Sequence, residues 1–531
     1  MIFDDLYYYF KNIFHFQKKS PIRNWTEEKE TNFDFNEISK YFRYKLNKNV
    51  NFQYISEKTS NDIDLNFVFE RIDRTYSSFG QQYLYNKIRT VKGKNSILNQ
   101  KEILIEKIKK DSLNRNILIR QLNKISSKRD YGLIDLLNDE ILLNKSGELY
   151  AIISLILLFT ISFVSFFYLK SLLLLLPLTI FNIYYHYRNK AYQEYYREKL
   201  ISLSKAISVG DKLSKNPLLK AEFEFNYIKC LVPLKKNLKF ISFDSNYVTS
   251  DIFIVFWLII ELLRITFNFE TIFFKTILKK IIKEKSNITT LYKDIGHIDT
   301  LLSIASLDLS EDFFSKPEFV SDKKMVITDM IHPLVENCVS NSINIMNGVI
   351  LTGSNMSGKT TFIRAIAINA LLSQTINRCF AKFYSCPYFK INTSIRIADD
   401  ISENKSYFLE EVLTIKEFFK YEKDGHNLFI LDEIFKGTNT KERIALGISI
   451  AKYLNHKNNF VFISTHDTEI ATYLDKSMLN YNFSGNIING NLTFSYILTK
   501  GILKTTNALD IITIYRYPQD VIKLSSNLLH Y

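Results

Sequence analysis

A short glycine-containing loop in the C-terminal half of the chain has the residue types and spacing that bind nucleotide phosphates. Gly353 and Gly358 flank four residues, and Lys359 and Thr360 follow at once. The glycines let backbone N–H groups turn toward phosphate oxygens where a helix starts. Lys359 is then expected to reach the β and γ phosphates, and the Thr360 hydroxyl to bind Mg²⁺. A chance match in an ordinary glycine-rich turn is the alternative, because short motifs misfire.

Two acidic residues and a histidine further along could complete a hydrolytic site. Asp432 and Glu433 follow the apolar run 428–431. Asp432 could hold the magnesium ion, and Glu433 could polarise the water that attacks the γ-phosphate. His466 follows another apolar run, 460–463, and could sense the γ-phosphate. Each signal is weak alone, but their shared position after strands favours function, because ligands of α/β sheets gather at the strands' carboxyl ends.

These residues need a sheet flanked by helices to position them, and the sequence beyond about residue 325 predicts one. The β-rich runs 348–352, 428–431 and 460–463 each lead into a loop and then a helical stretch. The first of these runs precedes the phosphate loop, and a helix is expected to begin near Lys359. The predicted fold is therefore a C-terminal P-loop α/β domain of the ABC class, preceded by a helical region.

The phosphate loop and a segment downstream of it resemble the MutS family of DNA mismatch-repair ATPases. Asn355 and Met356 form a pair that is characteristic of the MutS loop, whereas Ser354 stands where that family usually has proline. The acidic pair 399–400 and the run that starts at Ser406 are similar to the family's signature segment. In that family the serine reaches the nucleotide bound by the partner subunit. The resemblance therefore implies that Ser406 acts in trans.

The resemblance extends on both sides of the loop, over about residues 325–531. His332 and Pro333 lie in a segment similar to the element beside adenine, and residues 437–440 resemble the loop that connects the two sites of a MutS dimer. Similar residues continue through 490–494 to 518–522. The family implies ATP and Mg²⁺ as cofactors and a homodimer as the assembly. The implied roles are nucleotide binding by Gly353, Ser354, Asn355, Met356, Ser357, Gly358, Lys359, Thr360, Thr361, His332, Pro333 and, in trans, Ser406, magnesium binding by Thr360 and Asp432, and catalysis by Lys359, Glu433 and His466.

The residues before this domain are predicted to be mostly helical. Apolar residues recur at helical spacing from about 64 to 146, and residues 72–84 and 301–319 resemble the beginning and the end of the MutS core helices. Phe223 and Phe225 are assigned to packing in a helical stretch, so mismatch reading is not expected. The predicted segments are 1–60 (N-terminal), 61–149 (first part of the helical core), 150–187 (apolar hairpin), 188–320 (second part of the core) and 325–531 (ATPase and dimerisation).

An apolar stretch interrupts the helical region. Residues 150–169 carry no charge, and after Lys170 the stretch 171–187 is again uncharged. About twenty apolar residues cross a bilayer core, so this pattern predicts a transmembrane hairpin. Basic residues cluster just after it and place both flanks in the cytoplasm. The alternative is a pair of helices buried in a large soluble core. The shorter apolar run 252–260 is too short to span a bilayer and is predicted to be a buried helix.

Net charge and cysteine content give weaker information, about the kind of partner and the redox compartment respectively. A net charge of +14 suits an anionic partner, either nucleic acid or a lipid surface. The four cysteines lack zinc-like spacing and are predicted to be free, buried thiols in a reducing compartment. The leading hypothesis is a membrane-associated, MutS-like ATPase with DNA binding of mismatch-repair or recombination type. A membrane ATPase with a non-DNA partner and a transport ATPase subunit are the alternatives, and the Leu-Ser-Gly-Gly-Gln signature of transporters is missing from the sequence.

Overall fold

The computed structural model describes residues 24–29, 32–45, 52–93, 101–138, 145–241, 259, 261–354, 356–395, 407–421, 426–488, 491–503 and 508–529. They belong to two compact units that are interleaved along the chain. The helical unit takes residues from 1–45, 74–85 and 103–306, and the sheet unit from 46–73, 86–102 and 307–531. Each unit is thus assembled from three stretches, whereas the segments predicted above follow one another.

Helices make up most of the described chain before residue 310 and flank the sheets after it. Their bounds are α1 Phe35–Ile38, α2 Lys40–Lys45, α3 Glu57–Asp62, α4 Leu65–Ile72, α5 Ser78–Ile88, α6 Glu102–Lys110, α7 Ser112–Leu122, α8 Leu133–Asn138, α9 Lys145–Ser165, α10 Leu175–Leu213, α11 Pro217–Lys220, α12 Ile228–Ile241, α13 Phe269–Lys283, α14 Lys285–Ser310, α15 Lys359–Ile376, α16 Tyr407–Tyr421, α17 Thr440–Leu454, α18 Thr468–Leu474, α19 Ala508–Ile514 and α20 Gln519–Leu529. Residues 261–267 are also helical.

Nearly all strands belong to the sheet unit's C-terminal stretch. They are β1 Gln53–Tyr54, β2 Thr90–Val91, β3 Phe314–Ser315, β4 Glu318–Phe319, β5 Met325–Met330, β6 Asn341–Ile345, β7 Val349–Gly353, β8 Cys379–Phe380, β9 Phe383–Cys386, β10 Lys390–Ser394, β11 Asn427–Asp432, β12 Phe460–Ser464, β13 Leu479–Phe483, β14 Gly485–Ile488, β15 Asn491–Phe494 and β16 Thr499–Lys500. The mixture of helices and sheets agrees with the predicted fold class.

A six-stranded sheet forms the centre of the sheet unit, in the order β10-β11-β12-β7-β13-β16. Its strands are parallel except at the edge, where β16 runs antiparallel to β13. Asp432 pairs in register with Ser464, and Ser464 with Leu351. The three predicted strands therefore exist, each displaced or extended by one residue, and their carboxyl ends lie side by side.

Helix α15 packs against this sheet and starts directly after the phosphate loop. Most of its side chains are buried, including Asn369. The Asn369 side chain donates to the carbonyl oxygens of Ile331 and Ala365 and accepts a hydrogen bond from the Phe380 N–H group at 2.6 Å. A buried amide that uses both its donor and its acceptor in this way fixes the helix relative to the strands that follow it. These contacts link the middle of the helix to β8 and to the residue that follows β5.

The helical unit is organised around a buried carboxylate. Both carboxylate oxygens of Asp299 accept hydrogen bonds from the Tyr76 N–H group, and Oδ2 also accepts from the Ser77 N–H and hydroxyl groups, at 2.5–3.1 Å. A methyl group on Gly80 would lie 2.1 Å from Asp299 Oδ2, so only glycine fits there. Burial raises the pKa of Asp299 to about 6 despite the Ser77 hydrogen bonds. These contacts fix the start of α5 against α14.

The apolar hairpin is a helical pair whose second helix is much longer than predicted. Helix α9 ends at Ser165, a 3₁₀ turn covers Leu169–Leu174, and α10 then continues for 39 residues. By length and composition, the helical stretch Leu169–Lys190 is able to cross a membrane, whereas the apolar part of α9, Leu149–Ser165, is shorter than that criterion requires. The two predicted spans are therefore unequal.

Two minor expectations need correction. Phe223 and Phe225 lie in the connection between α11 and α12 rather than in a helix. Their rings do pack, with centroids 6.0 Å apart, and Phe223 also contacts the His297 ring. Cys379 and Cys386 are buried free thiols as predicted, but Cys230 is exposed and Cys338 is only partly buried. The run 252–260 lies outside the described residues except for Ile259, whose side chain is exposed.

Candidate nucleotide-binding site

The phosphate loop joins β7 to α15 and depends on its two glycines. At Gly353, a Cβ atom would lie 2.7 Å from the Phe483 carbonyl oxygen and 2.8 Å from Ser357 Oγ. Gly358 has a φ of +105°, which L side chains rarely adopt, and it caps the first turn of α15. The glycine positions of the motif therefore have steric reasons in this fold.

Lys359 lies buried in the centre of this loop. Its ammonium donates hydrogen bonds to the carbonyl oxygens of Gly353 and Ser354, at 2.8 and 3.0 Å, and lies 3.5 Å from His466 Nε2. Burial lowers the pKa of Lys359, while the nearby carboxylates of Glu433 and Asp432 oppose that shift. A partly desolvated cation at a helix start attracts phosphate oxygens strongly.

The side-chain oxygen atoms around this loop suit Mg²⁺ and a nucleotide. The Thr360 hydroxyl donates to Asp432 Oδ2 at 2.7 Å, so the two predicted magnesium ligands are adjacent. Asp432 Oδ1, Ser354 Oγ and Ser357 Oγ are buried and have no hydrogen-bond partner within the described part of the chain. Buried polar atoms without partners are costly unless a ligand satisfies them. Hydroxyl and carboxylate oxygens are also the ligands that Mg²⁺ prefers, so the residues fit the group.

Glu433 and His466 form a direct pair beside the loop. His466 Nε2 lies 2.7 Å from Glu433 Oε1, and Lys436 contacts the other carboxylate oxygen. The hydrogen bond from His466, with help from Lys436, lowers the pKa of Glu433 to about 2. Glu433 has a φ of 47°, and its N–H group donates to the Ser464 carbonyl oxygen at 2.9 Å. The strained backbone turns the carboxylate out of β11 toward the strand end that carries His466.

A cavity of about 480 Å³ opens beside this cluster. Its wall includes several predicted residues, namely His332, Met356, Ser357, Gly358, Lys359, Thr360, Thr361 and Glu433. Pro333 is not part of that wall. Burial, assisted by Arg364, lowers the pKa of His332 to about 4, so its imidazole is neutral at pH 7. A neutral ring in the wall of the cavity can pack against an uncharged base.

Sequence reasoning missed a second group of residues that form the wall of this cavity. Tyr496 lies against the loop, because a Cβ on Gly358 would be 3.2 Å from its ring. Asn341 holds it there by donating to the Tyr496 carbonyl oxygen at 2.9 Å and accepting from the Leu498 N–H group at 2.7 Å. No sequence signal links two segments that are about 155 residues apart. The aromatic type of Tyr496, between Phe494 and β16, is the sequence feature that favours a role for this residue.

Four predicted features lie wholly or partly outside the described residues. Asn355, the acidic pair 399–400 and Ser406 have no described position, and of 490–494 only β15 is described. Helix α16, which follows Ser406, is described from Tyr407. Its Glu411 Oε1 accepts a hydrogen bond from the Phe435 N–H group at 2.6 Å, although burial raises the pKa of that carboxyl. Helix α16 therefore contacts the loop that follows Glu433.

Most of this site lies within the part of the chain that a known family model matches. Residues 349–531 match the family model described as MutS domain V. The DNA mismatch repair protein MutS of Staphylococcus saprophyticus is 29% identical over 244 residues, which is 43% of this chain and 27% of that protein. Those of Bacillus subtilis and Pseudothermotoga lettingae are 29% and 32% identical, over 45% and 35% of this chain and 29% and 24% of theirs. The chain thus matches under a third of each relative's length, and the matches support a relationship to MutS for its C-terminal part.

The MutS-like segment 437–440 is ordered by local hydrogen bonds. Asn439 caps α17 by accepting from the Glu442 N–H group at 3.0 Å, and the Thr438 hydroxyl donates to the Glu442 carboxylate. One turn later, Arg443 donates two hydrogen bonds to Asp467, the residue after His466. The start of α17 is thereby attached to the strand end that bears the histidine.

Proposed function

We propose that the chain binds Mg-ATP at this cavity and hydrolyses it. The observation that carries the proposal is the Thr360–Asp432 hydrogen bond next to buried oxygens that have no partner among the described residues, within reach of Lys359 and the Glu433–His466 pair. The MutS domain V match supports ATPase activity in general. The glycine loop, the magnesium ligands and the carboxylate each have a role in phosphoryl transfer.

Each residue of the cluster has a defined task in this proposal. Thr360 and Asp432 would hold Mg²⁺, which when bound neutralises phosphate charge and polarises phosphoryl oxygens. Lys359 binds phosphate oxygens through its buried ammonium. Glu433 remains ionised at neutral pH because its pKa is about 2, so it orients the attacking water as a hydrogen-bond acceptor. His466 holds that carboxylate in position through the 2.7 Å contact.

The first experiment measures ATP hydrolysis and nucleotide binding in the same preparations. Wild-type protein is expected to hydrolyse ATP only with Mg²⁺. Lys359→Ala is expected to lose binding and turnover, whereas Glu433→Gln is expected to keep binding and lose turnover by about a hundredfold or more. Full activity in the purified Glu433→Gln protein would overturn the assignment.

We further propose that the ATPase works as a homodimer. Helix α20 and the turn before it expose a set of large apolar side chains, which are Tyr515, Tyr517, Val521, Leu524 and Leu528. An exposed apolar patch at the end of a domain is typical of a protein interface. The resemblance to MutS adds that Ser406 acts on the partner's nucleotide.

Mixing two inactive variants tests the composite site directly. Lys359→Ala disables the phosphate loop, and Ser406→Ala disables the residue proposed to act in trans. In a mixed dimer, one site contains both changes and the other contains neither, so activity should return on mixing. If each subunit used its own serine, the mixture would stay inactive.

DNA is the partner that the relatives' names suggest, since each is called a DNA mismatch repair protein. The net charge of +14 is compatible with phosphate binding. The test compares ATPase rates with homoduplex, mismatched and branched DNA over a range of salt concentrations. Stimulation that weakens steeply with salt supports a repair or recombination role, and rates indifferent to all three DNAs would favour a non-DNA partner.

A further inference from the structure

The hairpin formed by α9 and the first part of α10 exposes apolar side chains in every direction. Phe163, Phe166 and Phe167 are 70%, 90% and 78% exposed, and most neighbouring Leu and Ile side chains are exposed as well. Lys170 is the one charged residue in 149–187 apart from the titratable His186. A soluble protein seldom exposes an apolar surface this continuous, so something must cover it.

Several polar groups near the tip of the hairpin are hydrogen-bonded within the chain, whereas the buried Ser171 hydroxyl has no partner in the described part of the chain. In the turn, the N–H groups of Phe166, Phe167 and Tyr168 donate to helix carbonyl oxygens at 2.9–3.2 Å. The exposed hydroxyls of Thr160 and Thr179 likewise donate to carbonyl oxygens three residues earlier, at 3.0 and 2.9 Å. The Ser165 hydroxyl does the same. Polar groups that need no water are what a hydrocarbon environment requires.

Polar side chains of three segments gather near the other end of the hairpin. The buried Asn182 side chain accepts hydrogen bonds from Tyr150 and Ser154, at 2.6 and 2.8 Å, and donates to the Thr266 carbonyl oxygen. Asn268 donates to Ser154 Oγ. We call these residues the Asn182 junction. One helical turn further along α10, His186 lies 3.1 Å from Glu261, which also pairs with Lys190 and Arg264.

Aromatic and basic side chains surround this end. Tyr184, Tyr187 and Tyr195 are exposed. The ammonium of Lys199 lies 3.5 Å from the centre of the Tyr195 ring, and that of Lys190 lies 5.4 Å from the Tyr187 ring. Tyrosine together with Lys and Arg is the composition found at membrane–water interfaces. Leu262 and Leu263, next to Glu261, are exposed too and extend the apolar surface.

We propose that the hairpin 149–187 is a membrane anchor whose apolar side chains are covered by lipid acyl chains. The Asn182 junction, Tyr187 and Lys190 lie at the headgroup boundary on the cytoplasmic side, and α10 continues beyond it. From Tyr150 to Phe166 the helix rises about 24 Å at ~1.5 Å per residue, against a hydrocarbon core of about 30 Å. Local thinning accommodates that difference, and Lys170 at the tip reaches the far headgroups. Both ends of the hairpin therefore remain on the same side.

Flotation with lipid vesicles tests this proposal on the full chain. Detergent-solubilised protein is reconstituted with vesicles of phosphatidylcholine and phosphatidylglycerol, and the fraction that floats on a density gradient after salt and carbonate washes is measured. The test variant carries Phe163→Glu, Phe166→Glu and Phe167→Glu. The matched control carries Ile103→Glu, Leu113→Glu and Ile117→Glu, which are exposed apolar positions on α6 and α7. Both variants add three carboxylates to the same unit.

We expect wild type and control to float and the hairpin variant to lose about a hundredfold of its lipid-bound fraction, because charges within the bilayer are strongly unfavourable. Thermal unfolding of each protein identifies a variant that has failed to fold. Should that happen to the triple variant, the single change Phe167→Glu replaces it. Wild type that stays at the bottom of the gradient, or a folded hairpin variant that floats like wild type, overturns the proposal. A detergent-free wild-type oligomer that the variant dissociates would identify a second copy as the cover instead.

Discussion

The phosphate loop and the apolar hairpin differ in how most of their polar atoms are bonded. In the nucleotide site, Ser357 Oγ of the loop and Asp432 Oδ1 at the end of β11 are buried and lack hydrogen-bond partners within the described residues. In the hairpin, exposed hydroxyls such as that of Thr179 are bonded to their own helix. Buried oxygens without partners indicate a site that a ligand completes, whereas exposed hydroxyls bonded to their own helix are compatible with lipid as well as with water. The hydrogen bonds therefore identify the ligand site, and the surroundings of the hairpin are inferred from its exposed apolar side chains.

The largest expected effect comes from changing a proposed magnesium ligand of the nucleotide site. Asp432→Asn keeps the shape of the side chain but removes the charge beside Thr360. We expect the ATP hydrolysis rate at saturating Mg²⁺ to fall by about a hundredfold or more, because a metal site contributes several kcal/mol to the transition state. Steady-state kinetics over a Mg²⁺ titration measure it, with Asp322→Asn, at an exposed position before β5, as control. A rate unchanged at high Mg²⁺ would remove Asp432 from the metal site.

The next effect concerns the junction at the base of the hairpin. Asn182→Leu leaves the hydroxyls of Tyr150 and Ser154 without their acceptor. The helical unit should lose about 1–3 kcal/mol of unfolding free energy, the usual penalty for buried polar groups left unpaired. Denaturant unfolding in detergent measures this loss. Thr179→Val is the control and should change stability by less than about 0.5 kcal/mol, since its hydroxyl bonds only its own helix. Equal effects of the two changes would contradict the junction's role.

Two serine substitutions compare a hydroxyl of the phosphate loop with a hydroxyl of the hairpin. Ser357→Ala should weaken Mg-ATP binding about tenfold, because a hydrogen bond to a charged group contributes about 1.5–3 kcal/mol. Ser165→Ala, which removes an exposed hydroxyl of the hairpin, should leave nucleotide affinity unchanged. Equilibrium titration with a fluorescent ATP analogue measures both. Loss of affinity in neither variant would mean that Ser357 does not face the nucleotide.

The smallest expected effect is on pH dependence. The His466 hydrogen bond is the main cause of the low pKa of Glu433, so His466→Ala should raise that pKa toward its ordinary value of 4.5. A carboxyl with a lowered folded pKa stabilises the fold above its unfolded pKa and loses that contribution as pH falls toward about 2. The stability difference between wild type and His466→Ala should therefore be present at pH 6 and shrink below pH 4.5. Denaturant unfolding from pH 6 to 3 measures it, and a difference independent of pH would contradict the coupling.

Much of the nucleotide site was accessible from the sequence because its signals are local. The spacing of Gly353, Gly358, Lys359 and Thr360 reflects one turn between a strand and a helix, and the structure places a strand before it and a helix after it. Asp432 and His466 were found because apolar strands precede them. Tyr496 and Asn341 were missed, since they reach the cavity through hydrogen bonds between segments that are distant in the sequence.

The apolar pattern of the sequence, in contrast, does not determine whether a segment is buried or exposed in the folded chain. The run 428–431 and the segment 163–169 are comparably apolar, yet the first is fully buried between parallel strands and the second is exposed. Residue order alone could not separate these outcomes, because burial depends on which other segments come to lie alongside. The interleaving of the two units has the same origin, since residues 46–73 and 86–102 join a sheet unit that begins again at residue 307.

The sequence by itself determined the phosphate loop, the acidic strand end and the apolar hairpin, because each depends on neighbours within a few residues. Only the tertiary structure decided which oxygens lack partners, how His466 lowers the pKa of Glu433, and where the Asn182 junction joins three segments. These properties arise from distances between atoms of separate segments, and such distances are set when the whole chain packs.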